Sequence, residues 1–169
     1  MDAASLRQVQ TPLKDRYRAE PGTAVVTLEA TGELDSAAVA CRVETATALV
    51  EAGLHPASGG DGTQLCSGDM LLQALVACAG VTVRAVAISL ELPVRGGRLR
   101  AAGDVDFRGT LGVDRAAPVG FSSIQLDIEL DTDADDEQLA TLAKLSERYC
   151  VVYQTLRGGP DLAMRLHRT

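Results

Sequence analysis

The sequence predicts a single α+β domain. Alternating apolar residues over 23–53 and 95–133 mark strands, while a nearly all-apolar stretch over 68–90 and apolar residues recurring every three to four positions over 133–159 mark two long helices. A length of 169 residues with 46% apolar side chains is enough for one self-sufficient core, so residues 1–169 are read as one domain. The order is β-β-(β)-α-β-β-α-β, and aromatics are only 3%. Such a core relies on close packing of Ala, Val and Leu.

Residues 1–21 are polar, end in "EPG", and read as an N-terminal arm, either irregular or a short helix. "TAVVTLEATG" (23–32) and "AAVACRVETATALVEAG" (37–53) alternate as strands. The turn residues "GELDS" separate them, which gives an antiparallel hairpin or three-stranded meander containing Cys41. "HPASGGDGT" (55–63) is loop. Ser67 is placed to cap a helix that has Asp69 in its first turn, where a carboxylate favours the positive end of the helix dipole. That helix is expected to reach Leu90 and to stop before Pro93. Gly80 inside it suggests the close passage of another backbone.

Residues 95–112 and 120–133 read as two long strands, the second with Ile124, Leu126, Ile128 and Leu130 on one face. An acidic first turn at "DADDE" and a Gly-Gly-Pro stop at 158–160 bound a second helix, which carries Cys150. A short terminal strand, "LAMRLHR", is expected to close the chain.

The first long helix constrains assembly. Asp69, Gln73, Gly80, Arg84 and Glu91 form one narrow stripe, and nearly everything else on it is apolar. A sheet shields one side of such a helix, so a homodimer, in which a partner chain covers the other side, is the economical solution. Arg84 is expected to pair with an acid across that dimer. Cys78 lies nine residues after Asp69, roughly opposite in angle and about 13 Å along the axis, so the two cannot meet within one straight helix.

The net charge of −7 and a pI of about 4.8 speak against nucleic-acid phosphates or an anionic membrane as partners. The N-terminus lacks the apolar core of a secretory signal, and the longest apolar run, near 74–81, is short for a membrane span. A soluble cytoplasmic protein is expected. Cys41, Cys66, Cys78 and Cys150 should then be reduced at rest. There is no C-x-x-C, and His55 and His167 are far from every cysteine in sequence, so neither a metal site nor a cofactor is expected. Taken singly, each cysteine has buried packing as its ordinary explanation.

Two segments taken together, "GGDGTQLCSGDMLLQALVACAG" and "RYCVVYQTL", resemble the OsmC/Ohr family of osmotically inducible and organic-hydroperoxide-resistance proteins. The shared pattern is a Gly-rich loop, an acid opening a helix, an Ala-Cys pair in mid-helix and a later cysteine in a second helix; the strand and helix order also fits. The resemblance implies an OsmC-like fold, an intertwined homodimer, and thiol-dependent reduction of organic hydroperoxides. Cys78 would be the peroxidatic thiol and Cys150 the resolving thiol, with Asp69 in an accessory catalytic role and a dithiol or thioredoxin-type reductant clearing the disulfide. Cys66 is a weaker candidate for the resolving role, and Cys41 reads as core.

The sequence departs from the family pattern in three respects. Val151 stands where the family usually has Pro, so nothing in the sequence stops the second helix at Cys150, and a continuous helix would deprive that thiol of help from a helix dipole. Asp69 stands where the family has Glu, and Ser67-Gly68 replace a Pro-containing lead-in. The loop "ASGGDGTQ" supplies no activating arginine, which leaves Arg16, Arg18, Arg42 and Arg148 as candidates. Cys78, in mid-helix, gains nothing from its own helix terminus. These departures keep open two other readings: a non-catalytic dimer that binds a small apolar ligand, and a thiol-based sensor.

Overall fold

The computed structural model describes residues 2–20, 24, 31–34, 40–44 and 49–168. Helix α1 (Ala3–Ala19) comes first, capped by the Asp2 side chain, which accepts from the Ser5 N–H at 2.8 Å. The arm is therefore helical over 17 residues, with Pro12 inside it. Strands β1 (Thr31–Leu34), β2 (Ala40–Glu44) and β3 (Leu49–Gly53) form an antiparallel meander, but β1 takes in Gly32, Glu33 and Leu34, which were expected in the turn and instead pair with β2. The two-residue strand β4 (Leu65–Cys66) adds to β3 in parallel. Expected strand residues 25–30, 37–39 and 45–48, and the side chain of Cys41, lie outside the described residues.

Helix α2 (Ser67–Ser89) is the spine. Its cap residue is Cys66, one position earlier than expected, and no side chain bonds the first turn. Leu75, Ala79, Val83, Val86 and Ala87 are buried along it at helical spacing, and it packs against β5, α4 and α5. By length and composition alone α2 could cross a membrane, although no single apolar run in it is that long. Its packed face, however, is the core of the domain.

Strands β5 (Val94–Val105) and β6 (Phe121–Thr132) form a long antiparallel pair. The first ends earlier than expected. The Asp106 carboxylate accepts from the Arg108 N–H at 3.0 Å and also pairs with the Arg108 guanidinium, which turns the chain into the short helix α3 (Phe107–Thr110). Gly103 is required where it stands, since a Cβ there would lie 2.6 Å from the Phe121 ring. Gly80, by contrast, faces the Leu99 side chain at ordinary contact distance, and among the described residues no backbone of another element passes close to it.

Helix α4 (Asp136–Tyr149) opens with a capping box between Asp135 and Gln138, and α5 (Val151–Gly158) follows after a break at Cys150. The continuous helix expected from the sequence is therefore two helices. Residues 159–168 form no strand, contrary to expectation: Leu162, Met164 and Leu166 alternate as strand residues do, but no neighbouring strand pairs with them among the described residues.

Arg84 bonds within the chain, donating to the Val94 carbonyl at 2.6 Å. Glu91, further along the same stripe, pairs with Arg7 of α1 at 3.2 Å. The core between the helices centres on Val83, Val86, Ala87 and Leu142, with Leu92, Val94, Leu130 and Leu145 around it. Leu142, 2% exposed, ties α4 to α2. Leu142→Ala should cost about 2–5 kcal/mol, read as a lower denaturant midpoint with an unchanged m-value.

Candidate functional site

Cys78 sits in mid-α2, partly buried, and Cys150 sits at the α4–α5 break, 2% exposed; both thiols are free. The packing of α5 on α2 brings Cys150 near Cys78, close enough that each thiol bears on the ionisation of the other. Residues 72 positions apart in sequence thus form one unit.

The break decides the electrostatics. Cys150 has φ −75° and ψ 108°, an extended conformation, while its N–H still bonds the Ser146 carbonyl at 3.0 Å. The first N–H groups of α5 therefore have no helical acceptor. Those of Val152 and Val151 donate toward the Cys78 sulfur. Burial pushes the Cys78 thiol up, but the Val152 N–H, the Cys150 S–H, the Val151 N–H and the Thr82 hydroxyl together hold it below its ordinary value of 9.0. Cys78 thus receives help from a helix N-terminus after all, that of α5 rather than its own. Burial pushes the Cys150 thiol up as well, and there it prevails over the Tyr153 N–H, with the hydrogen bond to Cys78 and the charge on Cys78 adding to the rise. One thiol is poised to ionise and its neighbour to stay protonated.

Thr82 and the amides of Val151 and Val152 are the site groups that the sequence reading missed. Thr82 lies four residues after Cys78, on the same helix face, where its one hydroxyl proton bonds the Cys78 carbonyl at 2.8 Å beside the sulfur. That spacing was the available signal. The amides leave no mark in side-chain identity.

Asp69 stays apart from the thiols in this chain. It is exposed in the first turn of α2 and borders a shallow hollow with Gln73 and Ala101. Cys66, partly buried at the cap of α2, lies near Gly68 and Phe121. Among the described residues, the groups that weigh most on Cys78 include no arginine. Arg16 lies over the Tyr17 ring at 5.3 Å, Arg18 pairs with Asp15 at 2.6 Å, and Arg148 lies over the Tyr149 ring at 5.8 Å. The Arg42 side chain is outside the described residues.

His55 caps a short turn, accepting from the Ala57 N–H at 3.0 Å, and stacks on Phe107 at 5.1 Å; His167 is exposed near the end of the chain. Among the described residues no three His, Cys, Asp or Glu side chains are grouped to hold a metal.

A cavity of about 490 Å³ leads to Cys150. Ile124, Leu126, Ile128 and Leu130 of β6 form one wall, and α2 and α4 supply Val83 and Leu142 opposite. Ser146 also borders it, and its buried Oγ has no hydrogen-bond partner among the described residues. The volume lies within the range of small-molecule sites.

An α+β fold whose spine helix carries one thiol beside a second, buried thiol at a helix break defines a class of thiol protein. The model of the family described as OsmC-like protein matches residues 60–165, and the chain belongs to that family. Solved structures agree in fold. An OsmC-like protein from Mycoplasma pneumoniae superposes with a TM-score of 0.66 at 16% identity, over 79% of this chain and 89% of that one. The organic hydroperoxide resistance protein OsmC from Legionella pneumophila gives 0.59 at 15%, covering 79% and 91%. The organic hydroperoxide resistance protein OhrB of Bacillus subtilis gives 0.52 at 17%, covering 79% and 93%. No curated protein sequence matches the chain.

In alkylation with iodoacetamide followed across pH by mass spectrometry, Cys78 should show a midpoint below 9.0 and Cys150 one above it. The thiolate is the reactive form, so between its lowered midpoint and 9.0 the folded Cys78 should react with a larger ionised fraction than the denatured one. Denaturation should bring the two midpoints together.

Proposed function

We propose that this chain is a thiol peroxidase that reduces organic hydroperoxides through Cys78 and Cys150. The supporting observation is the nearness of a thiol held below its ordinary pKa to a second, protonated thiol. The Cys78 thiolate attacks a peroxide oxygen: an S–O bond forms, the O–O bond breaks, and the alcohol leaves with a proton, which yields a sulfenic acid. The Cys150 sulfur then attacks the Cys78 sulfur, an S–S bond forms, and water departs with the Cys150 proton. A small dithiol or a thioredoxin-type reductant supplies two electrons and two protons to restore both thiols.

The apolar cavity beside Cys150 suits an alkyl or fatty hydroperoxide better than hydrogen peroxide. It would serve a non-catalytic binder of an apolar ligand equally well; the lowered Cys78 thiol favours the peroxidase. Asp69, distant within one chain, would reach a thiol pair only from a second subunit.

A homodimer fits the exposed apolar surface. Val81 of the spine helix is 73% exposed, and Leu162 and Leu166 are each 91% exposed. The family membership supports a cytoplasmic location.

The test is titration of the reduced protein with cumene hydroperoxide, counting thiols and mapping disulfides. A Cys78–Cys150 bond should form rapidly, Cys78→Ser should abolish it, and Cys150→Ser should leave a sulfenic acid that dimedone traps. Unchanged thiols at large peroxide excess would overturn the peroxidase in favour of the binder.

A further inference from the structure

The helix break at Cys150 lacks the residues that usually make one. Val151 is not proline, and neither Cys150 nor Val151 has the conformational freedom of glycine. In an uninterrupted helix the Val151 N–H would bond the Glu147 carbonyl and the Val152 N–H would bond the Arg148 carbonyl. Opening the chain at Cys150 frees those amides but strands the carbonyls, and a main-chain carbonyl requires a partner.

The structure supplies one from further along. The Gln154 side chain folds back seven residues, and its Nε2 donates to the Glu147 carbonyl at 2.7 Å. Its own backbone N–H bonds the Cys150 carbonyl at 3.0 Å, which starts the ladder of α5. Gln154 therefore occupies the acceptor that the Val151 N–H would otherwise take. The charged and titratable neighbours are few: Glu147 pairs with Arg157 at 3.9 Å, Arg148 lies over Tyr149, and Tyr153 follows Val152 on α5.

We propose that Gln154 is a positioning residue for the thiol chemistry. By holding the Glu147 carbonyl it keeps α4 and α5 apart at Cys150 and leaves the Val151 and Val152 amides aimed at the Cys78 sulfur. It does for this chain what a proline at position 151 would do by removing the N–H outright. The inference rests on the peroxidase reading for its importance, but its geometry is separate from turnover.

The experiment follows Cys78 alkylation against pH in the full chain, for wild type, Gln154→Ala and Gln154→Met, with a thermal melt of each. Alanine favours a continuous helix, and methionine keeps the length without the donor. Both should raise the Cys78 midpoint and slow its alkylation at neutral pH by about fivefold, as the loss of one net hydrogen bond to a helix break allows. The double variant Val151→Pro with Gln154→Ala should recover much of the lowered midpoint, because proline enforces the break and the Val152 N–H remains. A purely structural role would shift the melt without this pattern. A lowered wild-type midpoint that neither Gln154 variant moves would overturn the role of Gln154 and leave the peroxidase standing. A wild-type midpoint at its denatured value would overturn both.

Discussion

The chemistry of this protein depends on one main-chain interruption. A helix shares out its amides and carbonyls completely, so an interior residue has no N–H to offer. At Cys150 the sharing stops for one residue, and the amides released there face a sulfur in the middle of a different helix. A thiol in mid-α2 would otherwise be a buried cysteine with a raised pKa, as Cys150 is. The same turn of chain thus sets the two sulfurs on opposite sides of the ordinary value.

The spine helix supplies the other half. It places Cys78 over the start of α5 and, one turn on, Thr82 on the same face. Small residues are needed for this approach: Ala79, beside Cys78, is almost fully buried. The shortage of aromatics noted in the sequence has its physical counterpart here, since bulky rings would hold the helices too far apart for sulfur to meet backbone. The cost is an incompletely enclosed molecule, with Val81 and the terminal apolar residues left facing outward.

Much of this was legible in the residues. The limits of α2 were read to within a residue or so from Asp69 and Pro93, and the start of α4 from its acidic turn. The strands β5 and β6 followed from alternation, except where the Asp106 side chain diverted the backbone into a turn that periodicity does not report. The break at Cys150 was hidden because no glycine or proline marks it; the side-chain bond that spans it comes from Gln154, seven residues beyond the carbonyl it holds. Polar alternation at 162–166 suggested a strand, but a strand also needs a neighbour, and the residues themselves do not say whether one is at hand. Asp69 lies where the sequence placed it, in the first turn of α2, where a carboxylate favours the positive end of the helix dipole.

The wide spacing of the two cysteines has a mechanical consequence. A bond between positions 78 and 150 would close a covalent ring that encloses the whole β5–β6 pair and all of α4. By chain entropy such a ring limits the unfolded chain by about 4 kcal/mol. Oxidation would therefore do more than store two electrons. It would alternately clasp and release nearly half of the polypeptide, so that the redox state of the cell is written into how readily this domain opens to a protease.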